Sequence, residues 1–239
     1  VSIQAANSEL GSVEPVRELA AVAHAHGALF HVDATQALGK MPLDVGEWDV
    51  DTASFSAHKV GGPKGIGALY VKARTPLSAF QLGGGQESGR RSGTQNVMGA
   101  AGFAAACHAV CAMETEESAR LRELRDELYE KLSQVPGVRP TVDVPRGSED
   151  FLPNIVHVIV SDLESETLIL RLDMKGFGVS GGSACSSHSL EPSHVLRSIG
   201  VEGDDAYGAL RISMGRYTTA EDIDRFLIAF DEALNWNRG

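Results

Sequence analysis

Short apolar runs separated by polar turns occupy the first third of the chain and predict a sheet. The strand-like runs lie at residues 1–6, 28–33, 50–55 and 66–71. Between the first two runs, residues 15–26 carry apolar side chains at helical spacing, and Gly27 ends that helix. Strands that alternate with a helix are typical of βαβ units, so we predict an α/β fold with a mostly parallel sheet.

The second half of the chain has a different pattern, which predicts a smaller α+β unit. Its predicted elements are strands at 155–160 and 209–214 and helices at 165–177 and from 218 onward. Thr218 and Glu221 match a capping box, which predicts the start of the last helix.

A long helical segment lies between these two patterns. Residues 96 to about 132 are helical in pattern, Ala-rich at first and charged later, and a polar connection follows at 136–150. We therefore divide the chain into residues 1–95, a connecting helical segment at 96–135, and a small C-terminal domain at 136–239.

Polar side chains follow each of the first three predicted strands at the point where the strand ends. They are Asn7, then Asp33 with Gln36, then Ser56, His58 and Lys59. In parallel sheets, ligands bind at the carboxyl ends of the strands. The pattern therefore predicts that these side chains share one site.

Lys59 is the most informative of these residues. It lies between two apolar strands, beside Ser56 and His58 and ahead of a Gly/Pro-rich turn. A solvated turn lysine is the simpler interpretation, but an amine in this place also suits a Schiff base with an aldehyde cofactor. Asp33 is a matching partner, since a carboxylate keeps a pyridine nitrogen protonated. A helix cap or a structural hydrogen bond is the alternative role for Asp33.

Two stretches of small residues, at 81–94 and 178–188, carry further candidate chemistry. The first is basic, and its Arg, Ser and Thr side chains suit a phosphate, although a flexible surface loop fits equally well. The second holds Cys185 among Gly, Ser and Ala, a setting that suits an accessible thiol. Cys107 and Cys111 lie on the Ala-rich helix, where we expect small buried packing residues.

The net charge and the cysteine content indicate which partners and which compartment to expect. A net charge of −11 argues against nucleic acid or an anionic membrane surface. We also find no apolar run near the roughly 20 residues that span a bilayer, and no metal site is predicted. Three cysteines form no disulfide framework, so a reducing, cytoplasmic location is expected.

Five motifs, taken in order, resemble those of the cysteine desulfurases. They are His-Val-Asp-Ala-Thr-Gln at 31–36, Ser-Phe-Ser-Ala-His-Lys at 54–59, Gly-Pro-Lys-Gly-Ile-Gly at 62–67, Arg-Ser-Gly-Thr at 91–94 and Gly-Ser-Ala-Cys-Ser at 182–186. These enzymes belong to the class V aminotransferase family of fold-type-I pyridoxal phosphate enzymes. The resemblance implies that residues 1–95 are the C-terminal half of a large cofactor-binding domain. The long loop around Cys185 resembles the branch that supplies iron–sulfur cluster assembly.

The resemblance also implies roles on the cofactor. Lys59 would form the Schiff base and later shuttle protons, and Asp33 would pair with the pyridine nitrogen. Gln36 and Asn7 would address the 3-hydroxyl side of the ring, and Asn7 would also address the substrate carboxylate.

The phosphate is implied to lie on Ser56 and His58, and His58 is also expected among the catalytic groups with Lys59. Thr94 would reach the phosphate of the neighbouring subunit in a homodimer.

The resemblance implies that Arg211 binds the substrate and that Cys185 carries the sulfur. Arg211 would bind the carboxylate of L-cysteine, and Cys185 would take the sulfur as a persulfide. Alanine would leave, and the sulfur would pass to an acceptor or scaffold protein for iron–sulfur cluster or thiocofactor assembly.

The chain departs from this family at its N-terminus. The chain opens on Val1 in what we interpret as a buried strand, and the family's N-terminal part, with its ring-stacking histidine, is missing. We therefore expect a fragment that binds pyridoxal phosphate weakly by itself. A selenocysteine lyase, another class V enzyme, or a non-catalytic dimerisation or binding remnant stays open as an alternative.

Overall fold

A computed structural model describes residues 1–182 and 193–236 of the chain. The chain divides into two compact units. The first unit comprises residues 1–6 and 14–115, and the second comprises residues 7–13 and 116–239. Both units contain part of the predicted connecting segment at 96–135.

The first unit is built on a four-stranded sheet in the order β1-β2-β3-β4. Its strands are β1 (Ser2–Gln4), β2 (His31–Asp33), β3 (Thr52–Ser56) and β4 (Gly67–Val71). The first three strands pair in parallel, and β4 pairs with β3 in antiparallel. Helix α1 (Val16–Ala25) connects β1 to β2. The predicted mostly parallel α/β sheet is therefore confirmed.

Apart from Phe30, small and β-branched side chains make the buried core of the first unit, which α1 and the sheet share. The buried residues include Val16, Ala20 and Ala23 of α1, Phe30 just before β2, and Val32 and Ala53 of the sheet. One expectation fails at β1: this edge strand has exposed side chains at Ser2 and Gln4, so it is not a buried strand.

The second unit is built on a three-stranded antiparallel sheet in the order β5-β6-β7. Its strands are β5 (Val138–Pro140), β6 (Ile155–Val160) and β7 (Ala209–Ser213). Its helices are α3 (Ser165–Asp173), α4 (His194–Ser198), α5 (Asp204–Tyr207) and α6 (Ala220–Leu234). Helix α2 (Val97–Leu132) has residues in both units.

All six residues of β6 are buried, because elements cover both faces of this central strand. On one face, Val156, Val158 and Val160 join a cluster with α3, α6 and the C-terminal half of α2. On the opposite face, Ile159 packs in a second cluster that includes Leu10. His157 shares that second face by the two-residue alternation of a strand.

The capping box of α6 begins one residue later than predicted. Thr219 caps the helix: its hydroxyl accepts from the Asp222 N–H at 3.1 Å, and the Asp222 carboxylate accepts from the Thr219 N–H at 3.0 Å. Thr218 does not serve because its hydroxyl accepts from the Gly215 N–H at 3.0 Å and so closes the preceding turn.

Two expectations for α2 are wrong. Its Ala-rich first half is long and apolar enough, by length and composition alone, to cross a membrane, so an apolar run of that length does exist. Cys107 is only half-buried and Cys111 is exposed. The exposure of the cysteines has a simple cause: only a narrow stripe that includes Gly99 and Phe103 is buried in this half of the helix, and its other faces are exposed.

Arg125 is a fully buried charge that ties α2 to the connection before β6. Its guanidinium pairs with the Asp126 carboxylate at 2.8 Å. It also donates to the carbonyls of Ser148 at 3.1 Å and Phe151 at 2.9 Å. The second unit therefore depends on a buried cation that satisfies partly buried carbonyls where no helix or strand does so.

We expect Arg125→Met to lower the free energy of unfolding by about 3–5 kcal/mol, because it leaves a buried carboxylate and carbonyls without their donor. Urea unfolding of the parent and the variant measures the difference. Arg146→Met is the matched control, since Arg146 forms an exposed pair with Glu130 and should cost at most about 1 kcal/mol. Equal losses in the two variants would contradict this account.

His157 gives the second unit a pH dependence. Burial, with a smaller contribution from the nearby Arg211 cation, lowers the pKa of His157 to about 4 from the ordinary 6.5. Between pH 6.5 and pH 4 this imidazole is protonated in the unfolded chain and neutral in the folded chain. The free energy of unfolding therefore falls as the pH falls through this range.

From pH 7.5 to pH 5 this histidine should remove about 2 kcal/mol of unfolding free energy. Urea unfolding at both pH values should show a smaller loss in His157→Leu than in the parent. The exposed His108, replaced by Gln, serves as the control and should leave the parent's pH dependence unchanged. If the unfolding free energy of His157→Leu fell with pH as much as that of the parent, the imidazole would not be held neutral in the folded chain.

Candidate active site

The carboxyl ends of β2 and β3 place two predicted site residues on one edge of the first sheet. The two strands are parallel neighbours with Asp33 in register with Ser54. Asp33 is the last residue of β2, and Ser56 is the last residue of β3. Parallel pairing therefore brings the carboxylate and the hydroxyl to the same end of adjacent strands.

His58 and Lys59 lie on a single 3₁₀ turn, Ala57–Val60, that begins directly after β3. The turn is fastened at its base, because the Ala57 N–H donates to the Ile66 carbonyl at 3.1 Å and the Ala57 carbonyl accepts from Gly62 at 2.9 Å. Both side chains are exposed. Among the described residues, no hydrogen bond or ion pair occupies the Lys59 amine.

A close backbone approach explains the glycine at 62. A Cβ there would lie 2.9 Å from the Ala57 carbonyl oxygen. The Gly/Pro-rich turn is thus a tight closure that holds Lys59 in place, and it is not a loose loop.

Asp33 and Gln36 both use one oxygen within their own turn. Asp33 Oδ1 accepts from the Thr35 N–H at 2.9 Å, and Gln36 Oε1 accepts from Lys40 Nζ at 2.7 Å. The structural hydrogen bond considered as an alternative for Asp33 is therefore present. Its other oxygen, Oδ2, has no hydrogen bond within the part of the chain that the structure describes, so one face of the carboxylate is left for a ligand.

Thr94 follows a loop that is closed by its own hydrogen bonds. The Ser92 N–H donates to the Gln81 carbonyl at 3.2 Å, and the Ser92 hydroxyl donates to the Gly84 carbonyl at 2.8 Å. Thr94 itself is exposed. The loop therefore presents Thr94 at the surface of the first unit.

Asn7 belongs to the second unit and organises a turn there. It is buried, and its Oδ1 accepts from the N–H groups of Glu9 at 2.8 Å and Leu10 at 2.9 Å. Its oxygen is therefore committed to the backbone, and only its amide N–H groups are left to donate to a ligand.

Arg211 lies on β7 and is half-buried. Its Nη1 donates to the Ser8 carbonyl at 2.7 Å, while its Nε is buried without a hydrogen-bond partner among the described residues. Burial lowers the pKa of Arg211, and the nearby Glu9 carboxylate offsets part of that effect. A guanidinium held in this way is charged, oriented and partly open to an anion.

Sequence reasoning missed Glu9 and His157. Glu9 is buried, and its carboxylate accepts from the Ser193 hydroxyl at 2.6 Å. Nothing in the sequence separates it from a surface glutamate. His157 did carry a signal, since it is the one titratable residue in the apolar run at 155–160.

The predicted sulfur carrier, Cys185, lies outside the described residues. Of the other two thiols, Cys107 has its pKa raised, chiefly by burial and then by the neighbouring Cys111. A raised pKa leaves less thiolate and makes Cys107 a poor nucleophile at neutral pH.

Comparison with known proteins gives a consistent result. A family model for aminotransferase class V matches residues 1–226. A cysteine desulfurase of Gluconacetobacter diazotrophicus is 45% identical over 226 residues, which cover 95% of this chain and 56% of that protein. The chain therefore spans little more than half the length of this curated relative.

Solved structures agree with the sequence match. A NifS-like protein superposes with a TM-score of 0.89 at 37% identity, over 99% of this chain and 61% of that one. A structure of SspA in complex with cysteine has a TM-score of 0.69 at 32% identity, over 91% of this chain and 59% of that one. With its fold, its motifs and nearly its whole length matched, the chain belongs to the class V aminotransferase family, whose members are pyridoxal phosphate enzymes.

Proposed function

We propose that this chain is the larger part of a pyridoxal-phosphate-dependent cysteine desulfurase, which converts L-cysteine to L-alanine and transfers the sulfur to Cys185. The observation that carries the proposal is the exposed Lys59 amine on a fastened turn at the end of β3, next in the sheet to Asp33. The cysteine desulfurase among the relatives and the cysteine bound to SspA support the choice of substrate.

The side chains of the first unit fit the cofactor. An aldehyde needs an unengaged amine, a pyridine nitrogen needs a carboxylate, and a phosphate needs hydroxyl and imidazole donors. Lys59, Asp33, Ser56 and His58 supply these groups on adjacent strand ends. When bound, pyridoxal phosphate supplies an electron sink for the bonds at the substrate α-carbon.

The chain's own residues then hold and move protons. Asp33 would keep a proton on the ring nitrogen through its unengaged oxygen. With the cofactor bound, the Lys59 amine would be the group that takes a proton from the substrate α-carbon and returns one. Gln36 and the amide N–H groups of Asn7 would be the donors for the 3-hydroxyl side of the ring, and Thr94 would donate to the phosphate of a neighbouring subunit in a homodimer.

Arg211 binds the substrate carboxylate. A guanidinium presents parallel N–H groups that match the two oxygens of a carboxylate, and partial burial strengthens the pairing by excluding water. The Ser8 carbonyl limits rotation of the Arg211 side chain. Arg211 would therefore hold the carboxylate end of the amino acid in a fixed orientation.

Cys185 receives the sulfur. Its thiolate attacks the substrate sulfur, the carbon–sulfur bond breaks, and the carbon fragment takes a proton and leaves as alanine. The persulfide then passes its outer sulfur to a thiol of an acceptor protein by exchange. We propose iron–sulfur cluster or thiocofactor assembly as the destination, in the cytoplasm.

Lys59→Ala should abolish covalent attachment of pyridoxal phosphate and all turnover, because no other amine extends from the fastened turn at 57–60. Borohydride reduction of the loaded enzyme, followed by peptide mapping, should place the cofactor mass on Lys59. Lys64→Ala, in the same hairpin, is the matched control and should keep the attached cofactor. Label on another lysine would contradict the assignment.

Cys185→Ala should bind L-cysteine but release no sulfide, whereas Cys107→Ser and Cys111→Ser should keep nearly full turnover. The reason is that Cys107 and Cys111 lie on the continuous helix α2, which fixes their positions. The raised pKa of Cys107 also lowers its reactivity as a nucleophile. Mass spectrometry after one turnover without reductant should find about 32 Da, one sulfur atom, on the Cys185 peptide. That mass on the peptide of Cys107 and Cys111 would overturn the mechanism.

A further inference from the structure

His157 and Arg211 face each other across the central pair of strands in the second unit. They are register partners between β6 and β7. Directly opposed residues in an antiparallel pair project to the same face, with Cβ atoms about 4.5–5.5 Å apart. The imidazole is therefore a close neighbour of the guanidinium assigned to the substrate carboxylate.

Each of these side chains has one buried atom without a partner. His157 Nε2 and Arg211 Nε are both buried and make no hydrogen bond within residues 1–182 and 193–236. A buried polar atom left unpaired costs about 1–3 kcal/mol, so two such atoms on opposed residues need an explanation.

Thr141 engages one ring nitrogen of His157 and leaves Nε2 as the nitrogen without a partner in the described part of the chain. Its hydroxyl oxygen lies 2.7 Å from His157 Nδ1, and the residue is buried. Two tautomers fit this contact. If Nδ1 carries the proton, Nε2 is an unprotonated acceptor. If Nε2 carries the proton, its N–H and the N–H of the Arg211 cation are two donors with no acceptor between them. The positive charge of Arg211 favours the first tautomer.

We propose that His157 is a positioning residue for Arg211, with its neutral imidazole offering Nε2 as the acceptor for the Arg211 Nε–H. This inference rests on the proposed role of Arg211 toward the substrate carboxylate. His157 itself is fully buried, so we assign it no direct contact with substrate or cofactor.

This pairing selects the edge of the guanidinium that binds substrate. Arginine has five N–H donors: one on Nε and two on each Nη. The Ser8 carbonyl takes one Nη1–H. In the proposed pairing the Nε–H, which has no partner among the described residues, would go to His157 Nε2. The Nη1 and Nη2 edge is left for the two carboxylate oxygens, and the edge formed by Nε and Nη2 is closed to them.

A purely structural role is the competing explanation, and the kinetic constants separate the two. In the loaded enzyme, His157→Leu keeps apolar bulk but removes the acceptor, so KM for L-cysteine should rise about tenfold while kcat changes less than about twofold. His157→Gln offers an amide oxygen and should recover part of the loss. Thr141→Val frees the tautomer and should raise KM in the same direction.

Tyr129→Phe is the matched control. The Tyr129 hydroxyl accepts from the His157 backbone N–H at 3.0 Å, so this variant loses a buried hydrogen bond at the same residue without touching the ring. Its KM should equal that of the parent. An equal rise in Tyr129→Phe, or a fall in kcat with unchanged KM in His157→Leu, would overturn the positioning role.

Nitrogen-15 NMR of the histidine-labelled enzyme tests the tautomer without any turnover. The expected result is a protonated Nδ1 and a bare Nε2 for the signal that disappears in His157→Leu. A proton on Nε2 at neutral pH would overturn the inference even in an active enzyme. A bare Nε2 in an enzyme that does not act on cysteine would instead remove the proposed function and leave the pairing intact.

Discussion

Parallel pairing of β1, β2 and β3 is the constraint on which the candidate cofactor site depends. Because the strands run in one direction, their carboxyl ends meet at one edge of the sheet, and Asp33 and Ser56 occupy it. The antiparallel return of β4 then closes the turn that carries His58 and Lys59. Main-chain hydrogen bonds between neighbouring strands thus bring together side chains that are distant in sequence.

Local hydrogen bonds decide which atoms of the predicted side chains are left for a ligand. Asn7, Asp33 and Gln36 each commit an oxygen to a neighbouring group. The Lys59 amine has no such commitment among the described residues. The side-chain oxygens of Asn7, Asp33 and Gln36 thus serve as acceptors that fix the local turns. The groups left for the cofactor would be the second carboxylate oxygen of Asp33, the amide N–H groups of Asn7 and Gln36, and the Lys59 amine.

Burial sets the chemistry of the second unit. A fully buried strand tolerates a histidine at its centre only if the ring stays neutral, and the lowered pKa of His157 reflects that cost. Arg125 and Arg211 show the complementary solution, in which a cation is retained because backbone carbonyls accept its N–H groups. A neutral ring beside a charged guanidinium avoids the repulsion that two adjacent cations would have.

The sequence by itself determined the elements and the motifs, because apolar periodicity and turn residues act within a few neighbours. It predicted β6 at its observed bounds and the end of β2 at Asp33, and it ended β3 one residue early, at Phe55. It placed the α6 cap one residue early and took Cys111 as buried, since neither the turn at Gly215 nor the exposed side of α2 is a local property. Only the tertiary structure paired His157 with Arg211, because strand register is set by contacts between residues far apart in the chain.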